Sequence, residues 1–213
     1  SGNYNNWKGH YKGRGDKVKN IKYTRGRNTS DKKTVADDNV GAVHASNGET
    51  ITMNRTSLPS MPNISIANGI DSQTKKNAKF GLFANNGGII NAQKNWIKVT
   101  DSPMNIVSLN NAKIDLEGSK VEYKGNGYAL YTDSTSNSEG AINMKDATLV
   151  LDGKAIGYVF DQARPNAVSF NNTNIDVLSD DAVIAELTDS KSPLVIDVEN
   201  KAGNDSLKSR LLR

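Results

Sequence analysis

Five apolar residues, Ile90, Ile114, Ile142, Val168 and Ile196, open short alternating segments at intervals of 24, 28, 26 and 28 residues. The first four are each followed seven residues later by another apolar residue, Ile97, Val121, Leu149 and Ile175. A fixed offset inside a drifting period means two strands joined by a corner of constant length, with insertions admitted elsewhere in each repeat. Two positions on, the residue is again mostly apolar (Ala92, Leu116, Met144, Phe170, Val198; Val99, Tyr123, Leu151, Val177), and the residue between is usually polar. That alternation is the period of a half-buried strand. A third strand precedes each pair, starting at Phe80, Ile106, Tyr128, Ile156 and Val183. Three short strands per repeat with no helical pattern between them predict an all-β chain: a right-handed parallel β-helix (solenoid) of five to six coils, with a basic N-terminal arm. Like residues then stack from coil to coil at ~4.8 Å.

Such a coil cannot bury its inward residues alone, so stacking makes the core, and small aliphatics serve it better than large rings. Aromatic residues make up only 6% of the chain, whereas Asn occurs 27 times. Asn and Gly at "NNGG" 85–88, "NN" 110–111, "GNG" 125–127 and "NNTN" 171–174 suit corners that need a tight or left-handed backbone. Five coils follow from the spacing, and a sixth near residues 40–67 is interrupted by "NRTSLPSMPN". Measured from Phe83, Leu109, Tyr131, Phe160 and Leu187, the next aligned apolar residue lies 7, 5, 11, 8 and 9 positions on. All length variation is thereby expected at one corner, where successive loops form a ridge suited to ligand contact. Its candidate ligand-binding residues are Thr132, Asp133, Ser134, Asn137 and Glu139, then Asp161, Gln162 and Arg164, then Asp189 and Lys191. Shortening the 132–139 loop is expected to leave the stack nearly intact.

Charge divides the chain into an arm at 1–38, a solenoid at 39–203 and a tail at 204–213. The first 38 residues carry ten Lys/Arg against four Asp, a net of +6; the remainder carries 17 basic and 19 acidic residues, a net of −2. In the arm, Lys12, Arg14, Asp16, Lys17, Arg25 and Arg27 are candidate contacts for an anionic polysaccharide, with Trp7, Tyr11 and Tyr23 interleaved. Arg14-Gly15-Asp16 also spells the tripeptide that integrins read at a loop tip. The tail, with Leu207 and Leu211 four apart, fits a short helix or a truncated coil. No run approaches the ~20 apolar residues of a membrane helix, and the N-terminus lacks the apolar core of a signal peptide. The expectation is a soluble, monomeric chain without membrane insertion, any export signal lying outside it. With no cysteine and only His10 and His44, neither a metal site nor a cofactor is expected.

The phrases "GLFANNGGIINAQ", "GYALYTDSTS" and "LDGKAIGYVFD" resemble the passenger repeats of large type V autotransporters, above all the very long adhesins of fusobacterial type. The resemblance spans roughly residues 40–200 and leaves out the basic arm. It implies part of a longer bacterial surface protein, exported across the outer membrane through its own barrel. A non-catalytic, adhesive role toward a protein or glycan receptor on host cells or other bacteria follows from the likeness. The rival is a polysaccharide-binding or polysaccharide-degrading β-helix, whose carboxylates would gather on one strand face. Against it, the outward rows Asn91, Asp115, Asn143, Ser169, Asp197 and Lys98, Glu122, Val150, Asp176 place no two carboxylates on adjacent coils. No catalytic residue is therefore assigned.

Overall fold

The computed structural model describes residues 9–11, 16–23, 41–67, 79–159, 167–187, 194–200 and 211–212. All of their regular structure is β, arranged in three sheets. Sheet 1 stacks β3 (Gly41–Ala45), β6 (Phe80–Ala84), β9 (Met104–Ser108), β12 (Tyr128–Tyr131), β15 (Ile156–Val159) and β18 (Val183–Leu187). Sheet 2 stacks β4 (Thr50–Thr52), β7 (Ile89–Asn91), β10 (Lys113–Asp115), β13 (Ile142–Asn143) and β16 (Val168–Ser169). Sheet 3 stacks β5 (Ile64–Ile66), β8 (Trp96–Thr100), β11 (Lys120–Gly125), β14 (Thr148–Gly153) and β17 (Asn171–Val177). Every neighbouring pair in these stacks is parallel, the arrangement of a β-solenoid: five rungs of three strands, about four turns from first to last, with β18 opening another.

The repeat columns appear as predicted for the first four aligned residues. Ile51, Ile90, Ile114, Ile142 and Val168 are register neighbours in turn, as are Ile64, Ile97, Val121, Leu149 and Ile175. Each second apolar residue of these strands, from Ala92 and Val99 to Phe170 and Val177, also lies in the one continuous core cluster. Burying each such Ile or Leu contributes about 1.5–3 kcal/mol. Tyr123, Tyr158 and Phe170 share that core, and the other buried aromatics gather elsewhere. Phe80, Phe83, Met104, Val107, Leu109, Tyr128 and Tyr131 form a separate buried cluster. Because adjacent strand residues point oppositely, Phe83 lies on the other face of sheet 1 from Leu82, which belongs to the main core.

Three expectations need correction. Ile196 does not stack on Val168: it lies in β19 (Leu194–Asn200), opposite Ile21 of β2 (Asp16–Tyr23). β2 runs antiparallel between β17 and β19, and β1 (Gly9–Tyr11) runs antiparallel between β18 and β20 (Leu211–Leu212). Leu211 is thus in a strand, not a helix. The arm's described strands extend sheets 1 and 3 past β18 and β17 at the far end of the solenoid, with β20 and β19 as the outermost strands.

The corner lengths also differ from the sequence reading. Val107, not Leu109, is the register partner of Phe83, and β9 begins two residues before Ile106, at Met104. Counted from His44, Phe83, Val107 and Tyr131, the first corner takes 7, 7, 7 and 11 residues to reach Ile51, Ile90, Ile114 and Ile142. The second corner is the longer one in the first rung, 13 residues from Ile51 to Ile64 against seven in the rungs that follow. Insertions therefore occur at more than one corner.

Candidate binding surface

The first corner is a column of left-handed backbone. Asn47, Asn86 and Asn110 have φ of 53, 49 and 50°, followed by Gly48 and Gly87 at 74 and 72° and Asn111 at 60°. Asn and Gly adopt this region at the least cost, the physical reason the sequence repeats them there. The column is also a hydrogen-bond ladder. Gly48 N donates to Asn86 O (3.0 Å) and Gly87 N to Asn110 O (2.8 Å). Asn86 Nδ2 donates to Asn47 Oδ1 (2.6 Å), and Asn110 Nδ2 to Asn85 Oδ1 (2.7 Å).

The 132–141 loop is the fourth member of this ladder. Asn111 N donates to Thr135 O (3.1 Å), and Asn110 N to Thr135 Oγ1 (2.9 Å). The loop's base is sunk into the solenoid: Thr132 and Ser136 are buried, Thr132 Oγ1 shares a hydrogen bond with the Tyr158 hydroxyl, and Ser136 Oγ donates to Ser108 O (2.6 Å). Asp133 Oδ1 accepts from Thr135 N (2.8 Å), and Asp133 N donates to Ser136 Oγ (2.9 Å). Thr132 is thus a structural residue, and the loop is tied to the rungs rather than loosely inserted. Ser134 and Asn137 are half-buried, while Thr135, Ser138 and Glu139 are exposed. Asp161, Gln162, Arg164, Asp189 and Lys191 lie outside the described residues, as do Lys12, Arg14, Arg25 and Arg27. Asp16 and Lys17 sit in β2, where Asp16 pairs with Ile175 and Asn200 and Lys17 with Asn174 and Glu199.

The outward rows follow the expected register. Asp115 lies between Asn91 and Asn143, and Glu122 between Lys98 and Val150. Asp115 is saturated by Gln93 Nε2 (2.8 Å), Asn143 Nδ2 (3.0 Å) and Glu117 N (3.1 Å), so it serves the strand face.

A feature the sequence reading missed lies on the outer face of sheet 3. Glu122 accepts the Trp96 indole N–H (2.9 Å) and pairs with Lys120 (3.8 Å), whose ammonium sits 4.4 Å from the Trp96 ring centre. Beside it runs an open groove of about 340 Å³ whose lining includes Lys98, Glu122, Lys124, Val150, Asp152 and Leu178. Val150 is buried and Leu178 is 60% exposed. The row Lys98, Glu122, Val150 is visible in the sequence, but the apolar patch of Val150 and Leu178 acquires meaning only once the strands are side by side.

Set against protein families, characterised proteins and solved structures, the chain matches none. Function is therefore read from the geometry. Two surfaces have the required features: the exposed tip of the tethered loop, offering hydroxyls and one carboxylate, and the groove, offering two cations, two carboxylates and an apolar patch.

Proposed function

We propose that this chain is part of the passenger region of a bacterial surface adhesin of the type V autotransporter class, fusobacterial type. It holds out a contact surface for a protein or glycan receptor on host cells or other bacteria, and carries no catalytic role. The observation that supports this reading most is the loop at 132–141. Its base is buried and Thr135 is hydrogen-bonded into the rungs, while Ser138 and Glu139 at its tip face solvent. A tip held in place loses little freedom on binding, and a stack of rungs is a rigid support for it. The test is binding of the purified chain to cell surfaces and to glycan and protein arrays. Ser138→Trp and Glu139→Lys, which leave the buried base untouched, are expected to abolish binding without altering the β-sheet circular dichroism. Unchanged binding by both would remove the loop from the account.

The groove beside Trp96 favours a second reading, a polysaccharide-binding or polysaccharide-degrading β-helix. Apolar side chains flanked by hydrogen-bonding charges suit a sugar ring, which has one face of each kind. Incubation with acidic polysaccharides separates binder from enzyme: a rise in reducing ends or an unsaturated product supports cleavage, and retention without either supports binding.

A further inference from the structure

We propose that the groove on the outer face of sheet 3 binds an acidic glycan built of hexuronate sugars, with one sugar carboxylate held between Lys98 and Lys124 and a sugar ring seated on Val150 and Leu178. The inference rests on the second reading above, a polysaccharide bound in this groove, and names the class of sugar. Charge is the first observation. Glu122 is committed to Lys120 and to the Trp96 indole N–H, and Asp152 Oδ1 accepts from Gly153 N (2.7 Å). Asp176, which continues the row beyond Val150, has an interaction of its own. Lys98 and Lys124 are exposed, and among the described residues no carboxylate lies within ion-pair distance of either. Lys98 is opposite Glu122 and Lys124 opposite Thr100, so the two lysines stand one rung and two residues apart, about 8 Å between Cα atoms. Their long, flexible stems can bring both ammonium groups to one carboxylate.

The second observation is an apolar seat. Val150 is buried yet belongs to neither core cluster, and it interrupts an outward row that otherwise reads Lys98, Glu122 and Asp176. Leu178, 60% exposed, joins it in the groove wall. A sugar ring laid on these two side chains covers their methyl groups with its own CH groups, which takes apolar surface of both out of water. Asp152, in the same wall, keeps a second oxygen that can accept from a ring hydroxyl. From β8 to β17 the groove crosses three rung spacings, ~14 Å, room for linked sugars rather than a single one.

The backbone decides between a glycan and a peptide. β11 has β8 on one edge and β14 on the other, so its N–H and C=O groups are taken up by the ladder. An extended peptide draws its affinity from a free strand edge, which the floor of this groove does not provide. What the groove provides is side chains of three kinds, cationic, carboxylate and aliphatic. They suit a ligand whose polar groups surround an apolar face, and a hexuronate is one: hydroxyls and a carboxylate on the rim of a ring that carries CH groups.

The test titrates the full chain with oligogalacturonate, with its methyl ester, which keeps the rings and removes the charge, and with a poly-glutamate peptide. Affinity is read from the methyl resonances of Val150 and Leu178 in a Val/Leu methyl-labelled sample, so a contact made by the basic arm alone does not count. Oligogalacturonate is expected to shift both residues' methyls, and the ester to bind roughly tenfold more weakly. Lys98→Gln and Lys124→Gln should each weaken the acid about fivefold, while Lys113→Gln, which removes an exposed lysine from sheet 2, should leave it unchanged. Leu178→Ser should weaken acid and ester alike. Equal binding of acid and ester at these methyls overturns the carboxylate assignment and leaves a glycan groove standing. No methyl shift with either sugar removes the groove reading itself. Poly-glutamate moving the same methyls as strongly as the sugar makes the occupant an acidic peptide and overturns the proposal, as does a loss on Lys113→Gln equal to that on Lys98→Gln.

Discussion

Tyr123 shows how a single side chain fastens a corner. Its hydroxyl donates to Ser102 O and accepts from Gly127 N (3.0 Å) while the ring sits in the core. Burial, the largest cause, pushes its pKa up to about 12. The neutral phenol is therefore the form the fold prefers. Its contribution is complete below the ordinary value near 10 and is lost as pH rises from about 10 to about 12, amounting to roughly 3 kcal/mol. Urea midpoints should decline over that window, and Tyr123→Phe should decline less steeply. It should also be less stable at neutral pH by about 1–3 kcal/mol, because the buried Ser102 carbonyl and the half-buried Gly127 N–H lose this partner. Gly127 is constrained from the other side: a Cβ there would collide with the carbonyl oxygen of Pro103, a backbone atom that cannot swing away. Gly127→Ala is accordingly expected to lower the urea midpoint by the equivalent of about 1–3 kcal/mol. The second corner has its own left-handed column, Lys94, Gly118, Asp146 and Asn172, spaced like the strands. Lys94, at φ 57°, is the member without a favourable residue type. Replacing it by Gly relieves about 1 kcal/mol of backbone strain, part of which the freer unfolded chain takes back. A small rise in melting temperature is the expected outcome.

Strand columns were legible in the sequence wherever a corner of constant length tied two strands together. The seven-residue offset alone is enough to pair Ile114 with Ile142 and Val121 with Leu149, as the sheets have them. Sheet 1 was less legible because its strands carry apolar residues on both faces. With Leu82 and Phe83 both buried, in different clusters, alternation gives no register, and "IVSLN" was placed two residues late. The candidate loop was legible as an insertion but not as a built element. Nothing in "TDSTSNSEG" announces that Thr132 meets Tyr158 or that Ser136 reaches the Ser108 carbonyl, contacts across 26 and 28 residues. The consequence reverses the expectation from sequence. Replacing residues 132–139 by Asn-Gly can restore the corner ladder, yet it removes the hydrogen bonds that Thr132 makes with the buried Tyr158 hydroxyl and Ser136 with the Ser108 carbonyl. A loss of about 1–3 kcal/mol is predicted, measured by urea denaturation, and a shortened loop that retains Thr132 should recover much of it.

At the scale of the molecule, the solenoid is a stack whose two ends have been treated differently. One end shows half-buried core residues, and the other carries strands from the segment that holds most of the excess positive charge. If that segment also contacts anionic polysaccharide, the interaction runs through its Lys and Arg charges and must weaken with salt, since the Debye length is ~8 Å at physiological ionic strength. Retention on a heparin-like column should fall between low and moderate salt, and salt-independent retention would argue against it. The return of the arm to the last rung was not legible for a physical reason. A strand's alternation is the same whether its neighbour is the next parallel rung or an antiparallel insert, so Ile196 fitted the column by spacing while sitting opposite Ile21. These two placements are separated directly by cysteine pairs in this cysteine-free chain. Asn143→Cys with Ser169→Cys joins neighbours in sheet 2, where a rung spacing of ~4.8 Å falls within the ~4.4–6.8 Å that a disulfide spans between Cα atoms. Ser169→Cys with Asp197→Cys joins residues that only an uninterrupted parallel stack would bring together. Intact mass after mild oxidation is predicted to show an intramolecular bond in the first variant and free thiols in the second; free thiols in the first, or a bond in the second, would contradict a solenoid whose parallel stack gives way to the antiparallel β2 after β17.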